Sequence, residues 1–430
     1  MLRSRSRRFW AILTAAPLCI VLLVVASTAA GRSTGHRTTA QTTITVGLIT
    51  SPSADAIRKL IPQFTKQTGI KVNVVVQDWA SGHQKYLLAF KSHKGLYDAI
   101  QFDDPYLGAF AAGHYLQPLD SMMNGSKAYD ATDIPAAIRN YGKINGVTYA
   151  LDLSSEPYLY WYRTDIFNKL KLKPAKSWDG YVALAQKIQA SKLGSGNTMG
   201  FSQSGSLPYH WFQLLWSAGG ELADSSKHAT VTSAAAVKAT TQLVELAKSA
   251  PSSALSSTDD DAVAAFCQQN VGELMSFSGY WPVVHDAKQC KSWNKFATTT
   301  VPRGAASNVS LLEGWHMGLP SDSKNKQAAW TFVEWMLGKA NAGNLLNAGA
   351  AAIARQSLLS NAALVKKYPY LPTLLATAKI ARPAYRYSTM PEITQKINDD
   401  LQNIMTGQAS VTDGLKKLQN DLNGILKRTH

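Results

Sequence analysis

The fold of this chain is decided by residues 97–120, which read YDAIQFDDPYLGAFAAGHYLQPLD. An apolar run at 99–102 is typical of a buried strand, and Asp103 and Asp104 follow at once. An aspartate directly before a proline often starts a helix, so Asp104 is predicted to be the N-cap. The helix is predicted to be short and to end near Gly113 in a left-handed C-cap. The stretch therefore predicts a strand, a polar junction and a helix.

The two aspartates lie where an open α/β sheet binds its ligands, outside the carboxyl ends of its strands. Ser51 and Trp79 follow the two preceding predicted strands and are expected at the same edge. Carboxylates in that place could accept hydrogen bonds from hydroxyl groups or hold a cation. The alternative is structural, with Asp104 capping its helix and Asp103 exposed to solvent.

Two further strand–helix pairs precede this stretch. Strands are predicted at 45–49 and 70–76, and the helices after them have apolar faces at 57–64 and 86–90. This threefold alternation of strand and helix favours the α/β class with a doubly wound, mostly parallel sheet. Farther along, an Asn-Gly pair at 145–146 between apolar residues is a strong signal of a two-residue hairpin.

The charge of the chain argues against a nucleic-acid partner. The chain has 430 residues, a hydrophobic fraction of 45% and a net charge of +16, and residues 1–30 carry four arginines and no acid. The other basic residues are spread along the chain, without a basic helix or a nucleic-acid-binding motif. The length allows two or three domains, and the composition favours a mildly basic secreted protein.

The N-terminus has the three parts of a secretory signal. Basic residues precede an apolar run at 9–26, and small residues follow up to Ala30, where cleavage is predicted. Residues 1–30 are interpreted as a signal peptide and 31–43 as a polar linker. The apolar run is also near the length of a membrane span, so a retained anchor is the alternative. Cys19 follows a leucine in the middle of this run, which argues against a lipoprotein anchor.

Two cysteines, Cys267 and Cys290, remain after the signal is removed. In an oxidising compartment such a pair is expected to form a disulfide. It would close a loop of about 22 residues and stabilise the fold by about 3 kcal/mol. Two buried free thiols are the alternative.

The sequence shows no motif typical of catalysis, metal binding or cofactor binding. The nine histidines are scattered, and no pair has the spacing of metal ligands. No glycine-rich phosphate loop follows a strand, and no Gly-x-Ser-x-Gly elbow is present. We therefore expect no catalytic residue, no metal and no cofactor. A secreted carbohydrate enzyme stays open as an alternative, because an acid–base pair need not be close in sequence.

Aromatic residues gather at the ends of strands and at the starts of helices. Six stand out, namely Trp79, Tyr106, Tyr209, Tyr280, Trp281 and Trp315. A pyranose ring has an apolar face that stacks on such side chains, at about 1 kcal/mol for each stacked ring. Its hydroxyl rim suits carboxylates and amides. The pattern favours a sugar site, and packing in the core is the alternative for each tryptophan.

Several short motifs in a characteristic order resemble a known family. They lie at 97–120 (which ends in Gly-x-x-Leu-x-Pro-Leu-Asp), 157–167, 219–220, 278–281 (Ser-Gly-Tyr-Trp) and 314–337. On these motifs the chain resembles the extracellular solute-binding proteins of ABC importers. The resemblance is to family 1, the sugar-binding group that includes maltose-binding proteins, and it covers nearly the whole mature chain.

The resemblance implies a two-lobed periplasmic-binding-protein fold of type II. Each lobe would be a doubly wound, mostly parallel sheet. The first lobe would comprise 44–150 and 303–349, and the second 151–302 and 350–430. The three hinge crossings between them would lie near 150–154, 300–302 and 348–353.

The resemblance also implies binding without chemistry. The chain would hold a sugar or an oligosaccharide between its lobes and deliver it, as a monomer, to the membrane subunits of an ABC permease. It would be secreted or held at the outer face of the cytoplasmic membrane. One alternative is a cationic solute such as a polyamine, with Asp103, Asp104 and Glu156 as counter-charges. Another is a surface adhesin that reuses the fold.

The residues predicted to bind the solute follow partly from their position at the sheet edge and partly from the family resemblance. The position at the sheet edge favours Ser51 and Trp79. The resemblance implies cleft positions for Phe102, Asp103, Asp104, Tyr209, Trp281 and Trp315, with Glu156, Arg355 and Tyr387 as further candidates.

Overall fold

The structure is a computed structural model and describes residues 41–202, 206–350 and 352–428. The predicted signal peptide 1–30, with Cys19, and the linker up to residue 40 lie outside the described residues. Within the described part, no helix combines the length and the apolar character that a membrane crossing needs.

The described residues contain eleven strands. In chain order they are β1 (Thr43–Ile49), β2 (Lys71–Gln77), β3 (Ala99–Asp103), β4 (Lys143–Ile144), β5 (Val147–Thr148), β6 (Leu151–Arg163), β7 (Ser195–Thr198), β8 (Val271–Phe277), β9 (Phe296–Thr299), β10 (Ser310–Gly318) and β11 (Ala381–Pro383).

Eighteen α-helices accompany them in the same described part. They are α1 (Pro52–Thr68), α2 (Trp79–Ser92), α3 (Leu107–Ala112), α4 (Asp120–Gly125), α5 (Ala136–Arg139), α6 (Thr164–Lys169), α7 (Trp178–Ala190), α8 (Leu207–Ser217), α9 (Ala234–Lys248), α10 (Asp259–Gln268), α11 (Trp281–Val284), α12 (Lys326–Leu337), α13 (Ala342–Ala348), α14 (Gln356–Leu359), α15 (Ala362–Lys367), α16 (Leu371–Ala378), α17 (Met390–Met405) and α18 (Val411–Leu426).

Nine strands form one sheet in the order β2-β1-β3-β10-β6-β8-β7, with β11 beside β10 and β9 beside β6. β1 is parallel to β2 and β3, and β7 is parallel to β8. β10 and β6 are antiparallel to each other, and they are antiparallel to β3 and β8 respectively. Two parallel groups of strands are thus joined through two antiparallel ones, and the predicted α/β class is confirmed.

The three predicted strand–helix pairs at the start of the chain are confirmed. α1 begins at Ser51, whose side chain accepts a hydrogen bond from the N–H of Ala54 at 3.1 Å. It ends at Gly69, whose φ of 75° is left-handed, a conformation that costs glycine little. Ile57 and Phe64 of this helix are fully buried and hold it to the sheet.

The predicted hairpin is present as β4 and β5, with Lys143 opposite Thr148. The turn residues Asn145 and Gly146 have φ of 51° and 83°. A type I′ turn needs positive φ at both central residues, which explains why an Asn-Gly pair stands there.

The junction after β3 differs from the prediction in two details. The prediction of Asp104 as the N-cap was wrong, because Asp103 accepts a hydrogen bond from the N–H of Asp104 at 3.0 Å and caps a 3₁₀ turn. The predicted left-handed C-cap at Gly113 was also wrong, since its φ is −79° and the left-handed residue is His114 at 56°. The tighter turn moves the cap one residue back and buries Asp104.

The two central strands approach each other closely beside this junction. β6 is an unbroken strand of 13 residues, and β10 pairs with it in antiparallel orientation, with a register shift between Trp315 and His316. Gly314 of β10 has a φ of 150°, and a Cβ there would lie 1.8 Å from the carbonyl oxygen of Ser154. Glycine at this position therefore permits the close approach of the strands.

Two large clusters of buried apolar side chains hold the helices to the sheet. One is built around β1, α1 and α12, and the other around α8, α9, α17 and α18. The amphipathic repeat of the last helix contributes Leu415, Leu418 and Leu422 to the second cluster.

The predicted disulfide between Cys267 and Cys290 is present, with the two Cα atoms 4.5 Å apart. It links α10 to the loop after α11, and both cysteines are buried.

Candidate functional site

Three strands that are distant in sequence meet at the carboxyl end of β3. Asp103 of β3 lies opposite Trp315 of β10, and Trp315 lies opposite Ser154 of β6. Two residues earlier on β10, Glu313 lies opposite Glu156 of β6. Four acidic side chains come together at this place, and we call them the carboxyl cluster: Asp103, Asp104, Glu156 and Glu313.

Asp103 is held by its neighbours. Its Oδ2 accepts a hydrogen bond from Nε1 of Trp79 at 2.9 Å, and its N–H donates to Nε2 of His83 at 3.1 Å. His83 stacks on Tyr106 with the ring centroids 3.8 Å apart. Burial lowers the pKa of His83 to about 4, so this histidine is neutral and able to accept. Trp79 is 47% exposed, and its ring is open to a solute.

Asp104 is buried between two basic side chains. Its Oδ1 lies 2.8 Å from Nε2 of His316 and accepts a hydrogen bond from Nη2 of Arg386 at 2.6 Å. Burial lowers the pKa of His316, and the charge of Arg386 lowers it further although Asp104 opposes the shift. Arg386 therefore balances the charge of Asp104. The guanidinium also lies over Tyr141, with Cζ 4.7 Å from the ring centroid.

Glu156 occupies space that a glycine leaves open. A Cβ on Gly279 would lie 2.1 Å from Oε2 of Glu156. The other carboxylate oxygen, Oε1, accepts a hydrogen bond from Oγ of Ser154 at 2.6 Å. Burial raises the pKa of Glu156 to about 7, and the charge of Asp103 contributes to the shift. The Ser-Gly-Tyr-Trp motif at 278–281 thus borders the cluster through its glycine.

Glu313 is the most isolated member of the carboxyl cluster. Its side chain is buried, with 6% of the residue exposed, and its Oε1 has no hydrogen-bond partner among the residues that the structure describes. Burial raises its pKa well above the ordinary value, and the charges of Asp103, Asp104 and other carboxyl groups add to the effect. Burial is also the main cause of the raised pKa of Tyr209, and the charges of Glu313, Asp103 and Asp104 raise it further. Tyr209 in the first turn of α8 therefore lies beside the cluster.

The site is rich in hydrogen-bond acceptors and carries one half-exposed aromatic ring. Carboxylates accept hydrogen bonds from hydroxyl or ammonium groups, and charge-assisted bonds of this kind contribute about 1.5–3 kcal/mol each. Among the described residues, no group of three or more His, Cys, Asp or Glu side chains is arranged to hold a metal ion. The arrangement is suited to binding a polar solute.

The sequence matches the family of bacterial extracellular solute-binding proteins over residues 50–343. The match extends over more than half of the chain. The chain belongs to this family.

Curated relatives of this solute-binding protein are distant but similar over most of their length. A probable amino-acid ABC transporter periplasmic-binding protein of Sinorhizobium fredii is 26% identical over 335 residues, which is 76% of this chain and 76% of the relative. A probable ABC transporter-binding protein of Deinococcus radiodurans is 23% identical over 327 residues, covering 71% and 76% respectively.

Solved structures show the same fold. An ABC transporter solute-binding protein from Agrobacterium radiobacter K84, in complex with ribitol, has a TM-score of 0.82 at 24% identity and covers 89% of this chain and 98% of its own. A maltose-bound protein of T. maritima has a TM-score of 0.80 at 20% identity, with 89% and 99% covered. A protein from Agrobacterium vitis S4 with bound D-mannitol has a TM-score of 0.79 at 22% identity, with 90% and 98% covered. These similarities confirm the predicted two-lobed fold.

Two of the predicted ligand residues of this solute-binding protein lie in apolar surroundings. Trp281 is 6% exposed and stacks on Tyr370 with the ring centroids 4.4 Å apart. Phe102 is fully buried, 5.2 Å from the ring of Phe110 and 5.6 Å from that of His316. The role of both residues in binding stays a prediction, and their contacts also suit packing.

Three other predicted ligand residues have structural partners. Arg355 is buried, donates hydrogen bonds to three backbone carbonyl groups and pairs with Asp133 at 3.6 Å. Ser51 caps α1, and its Oγ accepts a hydrogen bond from Nε2 of Gln101 at 2.9 Å. Tyr387 is half-buried and stacks on Tyr385, with the centroids 5.8 Å apart. A contact of these three with solute stays a prediction.

Sequence reasoning missed four residues of the site, namely His83, Glu313, His316 and Arg386. Glu313 and His316 lie on the strand that also carries Trp315. Because side chains two residues apart on a strand point to the same face, Glu313 could have been predicted to lie on the face of Trp315. His83 and Arg386 had no local signal. Arg386 reaches Asp104 across 282 positions of sequence.

The stability of this protein is expected to fall between about pH 4.5 and pH 7. Burial raises the pKa of both Asp103 and Glu156 to about 7 in the folded state. The folded state therefore binds more protons than the unfolded state in that window, and stability is lost as the pH rises through it. Glu156→Gln removes one such group and should raise the melting temperature at pH 8 by roughly 2–4 °C.

Thermal unfolding of this variant at pH 5 and pH 8 is the measurement. At pH 5 we expect little difference from the natural protein, because Glu156 is already protonated there. Glu245→Gln on α9, where Glu245 pairs with Lys248 at 2.7 Å, is the matched control. An equal change in melting temperature at both pH values would contradict a raised pKa at Glu156.

Proposed function

We propose that this protein is the solute-binding component of an ABC importer and that it binds a sugar or a polyol beside the carboxyl cluster. The observation that carries the proposal is the meeting of β3, β10 and β6. It brings Asp103, Glu156 and Glu313 together, and Asp103 accepts a hydrogen bond from the half-exposed Trp79. A hydroxylated solute can donate hydrogen bonds to these carboxyl groups and place its C–H face on the indole.

The proposal is supported by what similar proteins bind. Structural neighbours were solved with ribitol, D-mannitol, tagatose and maltose. The bound compounds include open-chain polyols and sugars, and all of them carry several neighbouring hydroxyl groups. The carboxyl cluster presents the matching acceptors.

The delivery of solute follows the logic of the family. The solute selects a closed arrangement of two lobes, and that arrangement then docks on the permease. The division into 44–150 with 303–349 and 151–302 with 350–430, and the three crossings, are part of this proposal. We propose that the protein acts as a monomer at the outer face of the membrane and carries out no reaction.

A second candidate solute is an amino acid. The relative from Sinorhizobium fredii carries that name, and the buried Nε and Nη1 atoms of Arg386 have no hydrogen-bond partner in the described ranges 41–202, 206–350 and 352–428. A guanidinium with free donors suits a carboxylate, while the carboxyl cluster suits an ammonium group. Calorimetric titration with polyols, sugars and amino acids separates the two candidates.

Trp79→Ala should weaken the binding of the polyol or sugar about tenfold. A tenfold change in affinity corresponds to 1.4 kcal/mol, which is near the value of one stacked ring together with its contact area. Because Trp79 is 47% exposed, the melting temperature of the free protein should stay close to that of the natural protein. Calorimetry with the identified solute measures the effect.

Two further variants control this prediction. Trp293→Ala removes another exposed tryptophan, which is 37% exposed and contacts His285, and should leave affinity unchanged. Trp79→Phe keeps an aromatic ring but loses the hydrogen bond to Asp103, so it separates stacking from positioning. Unchanged affinity in Trp79→Ala would place the solute elsewhere.

A further inference from the structure

The carboxyl cluster holds more acid than its surroundings balance. Arg386 contacts Asp104 at 2.6 Å and balances that one carboxylate. His316, the other basic group on Asp104, is held toward its neutral form because burial lowers its pKa. Within the described part of the chain, Asp103 and Glu156 accept hydrogen bonds only from neutral groups, and Oε1 of Glu313 accepts none. Among the described residues, these three acidic side chains, of which Glu313 is buried and Asp103 and Glu156 are half-buried, have no cationic partner of their own.

Glu313 shows this imbalance most directly. More than nine-tenths of the residue is buried, and no described residue forms a hydrogen bond with its Oε1. It also lies directly opposite Glu156 on the neighbouring strand. Side chains at such positions have Cβ atoms about 4.5–5.5 Å apart, and like charges there destabilise the pair. A buried acceptor without a donor, facing a second carboxyl group, points to a donor that comes with the ligand.

We propose that the solute bound at this site carries a protonated amine, as an amino sugar or an amino polyol does, with its ammonium group between Glu313 and Glu156. The inference rests on the proposed function, because it takes the same site and the same hydroxylated solute and adds a charge. An ammonium group has three donors and one positive charge. It can therefore satisfy Glu313, bridge to Glu156 and reduce the repulsion within the cluster, whereas a hydroxyl group donates a single hydrogen bond.

The pH dependence of binding follows from the groups that face the cluster. They come from several elements: His83 on α2, Tyr106 after β3, Tyr141 before β4, Asp152 and Tyr158 on β6, Tyr209 on α8, Asp259 at the start of α10, Tyr280 before α11, His316 on β10, Tyr370 before α16 and Arg386 after β11. The raised pKa of Asp103 and that of Glu156, both about 7, mean that the empty cluster holds protons below neutrality. An ammonium ligand displaces these protons. Affinity for the amine should therefore rise between pH 5.5 and pH 8, and binding should release protons.

The test compares compounds that share a hydroxylated skeleton and differ in the amine. D-Sorbitol is compared with 1-amino-1-deoxy-D-sorbitol, and D-glucose and N-acetyl-D-glucosamine are compared with D-glucosamine, by calorimetry at pH 8. We expect the amine-bearing member of at least one set to bind at least tenfold more tightly than its neutral partners. Added salt should weaken that preference, because a charge interaction is screened.

Glu313→Gln tests whether the carboxyl cluster causes the preference for amine-bearing over neutral compounds. In this variant the ratio of amine to neutral affinity should fall toward one, while Glu245→Gln should leave the ratio unchanged. Glu156→Gln gives the same comparison if Glu313→Gln does not fold. Equal or tighter binding of the neutral members by the natural protein would overturn the inference and leave the proposed function standing. Binding of neither amine-bearing compound would overturn the inference as well.

Two further kinds of compound, amines that lack hydroxyl groups and amino acids, show whether only the inference fails or the proposed function fails as well. Spermidine and L-amino acids are titrated under the same conditions. Binding of these compounds alone, with no binding of any polyol or sugar, would overturn the proposed function and the inference together. A preference for the amino sugar or the amino polyol over spermidine is the result that supports both.

Discussion

Trp281→Ala is expected to lower the free energy of unfolding by about 3–5 kcal/mol, the usual cost of truncating a buried tryptophan. Trp281 is 6% exposed, stacks on Tyr370 at 4.4 Å and lies 5.5 Å from the ring of Phe296 and 6.1 Å from that of Trp161. Alanine would leave a cavity among these rings. Urea unfolding of the free protein measures the loss.

Trp293→Ala is the matched control, because Trp293 is 37% exposed and should cost far less. The motif that carries Trp281 suggested a contact with sugar, so solute affinity is measured on the same variant. Unchanged stability combined with lost affinity would assign Trp281 to the solute rather than to packing.

Arg386→Met is expected to destabilise the protein by about 3–5 kcal/mol at pH 8, because it leaves Asp104 buried without its guanidinium partner. The loss should be smaller at pH 5.5. Removal of Arg386 also removes a positive charge that lowers the pKa of His316. His316 can then take up a proton at acidic pH and balance Asp104 at 2.8 Å. Urea unfolding at the two pH values measures both effects.

Arg382→Met is the control for this variant. Arg382 pairs with Glu221 at 2.8 Å, but both side chains are more than a third exposed. Such pairs contribute about 0–1 kcal/mol, so the control should be the milder change. A double variant, Asp104→Asn with Arg386→Met, removes the unbalanced charge and should recover part of the loss. Equal destabilisation by the two arginine variants would contradict the charge balance described for Asp104.

Local patterns were sufficient to predict the elements that lead to the site. The apolar run at 99–102 and the Asn-Gly turn at 145–146 each depend on a few neighbouring residues. Strands and hairpin turns are therefore readable in one segment at a time, whereas the caps predicted at Asp104 and Gly113 were wrong by one residue. The class of the fold and the meeting of polar groups after β3 followed from the local patterns.

The partners within the site could not be predicted in this way. Asp104 was expected to be a cap, and only the packing of β10 and of the segment after β11 shows why it is buried between His316 and Arg386. The isolation of Glu313 likewise depends on its place opposite Glu156 on another strand. Contacts across hundreds of positions depend on tertiary structure, and no short motif encodes them.

The central claim is that this site binds a hydroxylated solute. Thermal unfolding in the presence of ribitol, D-mannitol, tagatose, maltose, the amino compounds named above and the common L-amino acids tests it most directly. A ligand at 100 times its dissociation constant stabilises a protein by about 2.7 kcal/mol. We expect a raised melting temperature with at least one polyol, sugar or amino derivative. In Trp79→Ala the shift at the same ligand concentration should fall to about half, because a tenfold weaker affinity leaves about 1.4 kcal/mol of stabilisation. A shift with L-amino acids alone would contradict it.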